Sequence, residues 1–120
     1  MRESDVILAP MPQADGRVKN RPALILREMP SHRDLLVCGI STQLHQCIRG
    51  FDEIVAASDA DFVSSGLIAA SVIRLSFLAI LHRKEVIGRI GCVSPERHTR
   101  LLQALSNYLV RGLQPTPGQR

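Results

Sequence analysis

This sequence predicts a mainly β fold with one C-terminal α-helix, its strands forming a small, strongly curved sheet or barrel of the SH3-like or CcdB-like kind. Three observations carry that prediction. Apolar runs of strand length recur through the first three quarters of the chain, Gly, Pro and an Asp-Gly pair punctuate them, and the one long stretch of helical periodicity comes last. With 120 residues and 45% hydrophobic composition, the chain is the size of a single domain.

Asp5-Val6-Ile7-Leu8-Ala9 is β-compatible and is expected to stop at Pro10 and Pro12, because proline cannot donate to a ladder. Gln13 to Asn20 holds the turn pair Asp15-Gly16 together with Arg17 and Lys19, so it reads as an exposed basic loop. Pro22 to Leu26 and Leu35 to Ile40 are continuous apolar runs joined by Met29 to Asp34, the pattern of an antiparallel hairpin. Phe51 to Ala56 offers another strand, and Ala57 to Ser65 tolerates helix as far as Gly66. Leu67 to Leu81, densely apolar around Arg74, Ser76 and His82, is read as two strands or one bent strand, and Val86 to Val93 as a last short one.

The terminal helix has the clearest signals. Ser94 is a natural N-cap, Pro95 suits the first helical position, Glu96 favours the positive end of the dipole, and Gly112 can close the other end. Leu101, Leu102, Leu105, Leu109 and Val110 recur at helical spacing as one apolar stripe, with His98, Arg100, Gln103 and Asn107 outside it. Residues 114–120 contain no apolar residue larger than proline and are expected to be a flexible tail, leaving 1–113 as the domain.

Several function classes are disfavoured. No apolar run approaches the roughly 20 residues a membrane span requires, and the acids near Met1 are unlike a signal peptide, so a soluble cytoplasmic protein is expected. Cys38, Cys47 and Cys92 are odd in number and lack CxxC spacing, which gives no disulfide framework and no metal site; no cofactor is expected either. The net charge of +4 is unevenly spread: Asp34 to Asp61 is acidic, whereas from Val72 onward Lys and Arg greatly outnumber Glu. That asymmetry suits either a basic face for a polyanion or an ordinary solvated surface. With three Phe, one Tyr and no Trp, base stacking is expected to be a minor theme.

Candidate chemistry lies at two strand ends. Arg21 precedes Pro22 where the basic loop enters a strand, a mounting that suits a guanidinium fork for phosphate as well as an ordinary edge arginine. Ser41 and Thr42 close the Leu35 to Ile40 strand, where hydroxyls can bond a phosphate or a ribose 2′-hydroxyl, or can simply terminate the strand. If the two runs form a hairpin, Arg21 and Ser41 converge at one open end of the sheet.

Taken in order, Asp5-Val6-Ile7-Leu8, Asp15-Gly16, Lys19-Asn20-Arg21-Pro22-Ala23-Leu24-Ile25-Leu26, Ile40-Ser41-Thr42-Gln43, Ser71-Val72-Ile73-Arg74-Leu75 and Ile90-Gly91-Cys92-Val93-Ser94 resemble the MazF/PemK toxins of bacterial toxin–antitoxin pairs, from Asp5 to about Leu109. The resemblance implies a homodimer, metal-independent cleavage of single-stranded RNA through attack of the 2′-hydroxyl on the adjacent phosphate, and inhibition by a cognate antitoxin protein. By position it implies catalytic roles for Arg21, Ser41 and Asp5, and RNA contacts from Arg17, Lys19, Thr42, Gln43 and Arg74. The chain departs from the pattern after Arg74, where Ser76, Phe77 and Ala79 stand in place of the family's acid, Gln and later Arg. A serine cannot act as general base at neutral pH, which leaves Asp5, His45 or His82 for that role. It also opens the alternative of a non-catalytic member that binds RNA or a partner protein. The gyrase-poisoning branch of the fold depends on a tryptophan this chain lacks.

Overall fold

A computed structural model describes residues 1–113; the tail expected at 114–120 lies outside the described residues. Strands β1 (Asp5–Pro12), β2 (Val18–Glu28) and β3 (Leu35–Ser41) are followed by the short β4 (Glu53–Val55), a helical turn α1 (Phe62–Ser65), β5 (Ser71–Leu81), β6 (Gly88–Cys92) and the helix α2 (Pro95–Val110). All six strands join one sheet in the order β4-β5-β3-β2-β1-β6, with every pairing antiparallel. The sheet curls into a half-barrel closed by a C-terminal helix, which is the predicted fold class.

Burial on both sides of the sheet accounts for the continuous apolar runs. On one face Leu24, Leu26, Cys38, Ile40, Ile73 and Leu75 pack with Leu101 and Leu105 of α2. On the other, Ile7, Ala9, Met11, Ala23, Ile25, Val37 and Leu81 form a second cluster. The expected hairpin is present, with Ala23 opposite Gly39 and Leu24 opposite Cys38.

β1 does not stop at Ala9 but runs through Pro10 and ends at Pro12, the two prolines pairing with Asn20 and Val18. The Leu8 carbonyl accepts from the Ile87 amide on the β6 side at 2.9 Å, so by the alternation of a strand the nitrogens of Pro10 and Pro12 also point away from β2. Beyond Leu8 that edge is free of β6, and no ladder bond is lost there. The basic loop is correspondingly shorter than expected: Lys19 and Asn20 are on β2, and the turn is closed by Gln13 N donating to the Arg17 carbonyl at 2.7 Å.

The Leu67–Leu81 region resolves into one strand with a large bulge. Gly39 pairs with Arg74 but Cys38 pairs with Leu78, so Leu75, Ser76 and Phe77 have no partners on β3. Asp52 stabilises the departure, its Oδ1 accepting from the Leu75 amide at 2.9 Å while Oδ2 accepts from the Ile48 amide at 2.9 Å.

Ser94 caps α2 as expected, its Oγ accepting from the Arg97 amide at 3.2 Å. The apolar stripe is shorter than its periodicity suggests, because Leu109 and Val110 are exposed and only the first turns lie on the sheet. His98, placed outside the stripe by spacing, turns inward, its Nε2 2.7 Å from the Leu26 carbonyl.

Candidate functional site

A cleft of about 380 Å³ opens where β2 and β3 separate, bounded by the β1–β2 turn, the segment after β3, and β5. Pro22 helps explain the opening. It pairs with Leu8, whose polar groups face β6, so Pro22 directs its donor-less nitrogen toward β3. The β2–β3 ladder ends one step inside, at Ala23 and Gly39. Arg21 and Ser41, each two positions beyond that last pair, both line the cleft. Arg74 enters from β5, beside Gly39. Three strands thus deliver the cleft's two guanidinium groups and the Ser41 hydroxyl.

The electrostatics are one-sided. Neither Arg21 nor Arg74 forms an ion pair among the described residues, and no carboxylate, imidazole or thiol lines the cleft. The Nε of Arg74 is buried with no hydrogen-bond partner among the described residues. A buried donor left unmade costs about 1–3 kcal/mol, which an incoming anion would recover. Ser41 Oγ accepts from the Gln43 amide at 3.1 Å, so the turn motif is real, but the hydroxyl proton remains free to donate. Thr42 and Gln43 line the same wall.

The charge asymmetry of the sequence has a different explanation from a basic face. Arg97, 6% exposed, donates to Asp61 at 2.8 Å and 3.0 Å, to Glu53 at 2.9 Å, to Asp59 at 3.0 Å and to the Ile54 carbonyl at 3.1 Å. Arg100 bonds Glu53 through two nitrogens, each at 3.0 Å. Basic residues of α2 therefore pair with Glu53, Asp59 and Asp61 of the acidic middle segment, and the Arg97 guanidinium holds Asp61 down at a pKa of about 2. What this leaves without acidic partners includes the two cleft arginines.

The remaining candidates lie elsewhere. Asp5 is on β1 near its start and is tied to Arg89 Nε at 3.1 Å and to the Arg2 amide at 2.9 Å; it does not line the cleft. Arg17, within 3.9 Å of Asp15, and Lys19 are exposed on and beside the turn whose Gln13 and Ala14 form one rim. His45 lies in a short 3-10 turn, Leu44–Gln46, and His82 accepts from the Lys84 amide at 3.3 Å; neither lines the cleft.

A family model for PemK-like, MazF-like toxins of type II toxin–antitoxin systems matches residues 2–109. The chain belongs to that family. Among solved structures it is similar to the Mycobacterium tuberculosis toxin MazF-mt6, at 21% identity and a TM-score of 0.63, over 88% of this chain and 95% of that one. That likeness speaks to the fold, a curled antiparallel sheet with a terminal helix. No curated protein matches the sequence.

In this PemK/MazF-like toxin the sequence did not single out Met11, Gln13, Gly39 or Gln46, and it marked Phe77 only as a departure from the family pattern; all five line the cleft. A glycine inside an apolar strand is a usable sign of close approach, and Gly39 is such a case. For Gln46 and Phe77 the local sequence holds no comparable sign, since the turn after β3 and the bulge in β5 place them.

Proposed function

We propose that this toxin is an endoribonuclease that holds single-stranded RNA in the β2–β3 cleft and cleaves it without a metal ion. The carrying observation is the pair Arg21 and Arg74, two guanidinium groups without acidic partners in a cleft lined otherwise by hydroxyls, amides and apolar groups. Arg21 and Arg74 bind the scissile phosphate, and the Ser41 hydroxyl donates to one of its oxygens. The ribose 2′-oxygen attacks phosphorus, the bond to the 5′-oxygen breaks, and a 2′,3′-cyclic phosphate is left. The guanidinium groups stabilise the negative charge that accumulates on the phosphoryl oxygens, the role a metal would otherwise fill. Arginine stays charged and cannot act as base, so the 2′-hydroxyl proton leaves to water in the open cleft and the departing oxygen is protonated from the same source. Asp5, engaged by Arg89 and the Arg2 amide, supports β1 rather than the chemistry in this scheme. Arg17, Lys19 and Thr42 extend the track for the RNA backbone, and Gln43 is a further RNA contact. The toxin acts as a homodimer in the cytoplasm and is silenced by a cognate antitoxin; exposed Leu78 and Ile80 on β5, and Leu109 and Val110 on α2, supply apolar surface for such partners.

The lack of any carboxylate or imidazole in the cleft lining favours a second reading, in which the chain binds RNA or a partner protein without turnover. Ser76 is exposed in the β5 bulge and Ala79 packs against the second core cluster, so neither replaces the family's acid or arginine. Labelled single-stranded RNA and the same RNA with 2′-O-methyl groups separate the two. Cleavage of the first and only binding of the second supports the nuclease; salt-sensitive binding of both with no products supports the non-catalytic protein.

A further inference from the structure

Phe77 occupies the cleft wall, carried there by the bulge that releases Leu75, Ser76 and Phe77 from β3. Its ring lies on the Gly39 backbone: a Cβ on residue 39 would sit 3.2 Å from Phe77 Cγ and 3.3 Å from Cδ2. The ring is half-buried, with Arg21 and Arg74 in the same cleft. The carboxamides of Gln43 and Gln46, also in the lining, make no hydrogen bond among the described residues, and each offers both donors and an acceptor.

We infer that Phe77 is the stacking platform for one nucleobase of the bound RNA, next to the phosphate held by Arg21 and Arg74, with Gln43 and Gln46 reading that base's edge. This rests on the RNA-binding reading above. An aromatic face is sequence-tolerant, since every base has a π-face, so discrimination falls to the amides. A ring serving only to fill the second core cluster would be indifferent to whether the RNA carries a base.

The test uses short 2′-O-methyl RNA oligomers, intact or with one base removed at each position in turn, titrated into the full chain and followed by fluorescence anisotropy. Phe77→Leu, which keeps apolar bulk, should weaken binding of the intact oligomer about tenfold. Removing the base at one position should weaken wild-type binding comparably and add nothing in Phe77→Leu. Phe77→Trp should keep affinity, and because the chain has no other tryptophan, its indole emission should be quenched by the intact oligomer and not by the oligomer lacking that base. Wild-type affinity in Phe77→Leu, indifference to base removal at every position, or unchanged indole emission at saturation would each overturn the inference. If these appear while wild-type binding remains salt-sensitive, the base platform alone fails. If wild type binds no oligomer, the RNA reading fails and the platform with it.

Discussion

Arg21 and Ser41 both line the cleft, each two positions beyond the last β2–β3 pair, Ala23 and Gly39. Arg21 is exposed and makes no ion pair among the described residues, so its removal should leave the fold intact. Arg21→Ala is expected to slow single-turnover RNA cleavage by about 100-fold or more, with folding stability within about 0.5 kcal/mol of wild type. Arg21→Lys keeps the charge but loses the planar fork and should recover only part of the rate.

Arg74 should likewise separate function from stability. Its Nε is buried without a partner among the described residues, so Arg74→Met removes an unsatisfied donor while keeping much of the side-chain volume. Thermal melting should find this variant as stable as wild type or more so. RNA affinity should nevertheless fall, and the slope of log K against log salt should become shallower by about 0.7, the contribution of one phosphate contact on a single strand.

Gly39 and Phe77 should be energetically coupled. Gly39→Ala places a methyl 3.2 Å from Phe77 Cγ, and the expected cost is about 1–2 kcal/mol. Combining it with Phe77→Leu should cost less than the sum of the two single changes. Urea unfolding of the four proteins gives that coupling directly, and strict additivity would mean that the ring does not rest on Gly39.

The Arg97 cluster makes an acid-sensitivity prediction. The hydrogen bond from Arg97 lowers Asp61 from an ordinary 3.8 to about 2. A carboxyl depressed in the folded state stabilises it above the unfolded pKa and loses that contribution as the pH falls through the folded one. The contribution should therefore be complete above about pH 4 and fade toward pH 2. Arg97→Met leaves Asp61, Asp59 and Glu53 without their shared cation, and should cost roughly 3 kcal/mol or more at pH 7. That cost should shrink at pH 3, where the orphaned carboxyls take up protons; denaturant titrations at the two pH values check it.

What could be read from the sequence follows from how local each feature is. The β2–β3 hairpin, the Ser94 cap and the convergence of Arg21 with Ser41 depend on neighbouring residues and one strand pairing, and the chain shows them as contiguous runs. Pro10 and Pro12 misled because their tolerance depends on where β6 stops, a fact set by residues about eighty positions away. Leu109 and Val110 continue the helical period past the point where the sheet can cover them. Arg97 reads as an ordinary charge because Glu53, Asp59 and Asp61 meet it only in the folded chain. Phe77 was one of three phenylalanines, too few for stacking to suggest itself, until the bulge in β5 carried it into the cleft.

The most direct test of the central claim is incubation of the purified toxin with end-labelled single-stranded RNA in excess EDTA, beside Arg21→Ala, with analysis of the product ends. The account predicts fragments bearing 2′,3′-cyclic phosphates from wild type and essentially none from Arg21→Ala. Intact RNA at every wild-type concentration, cutting abolished by EDTA, or equal cutting by Arg21→Ala would contradict it.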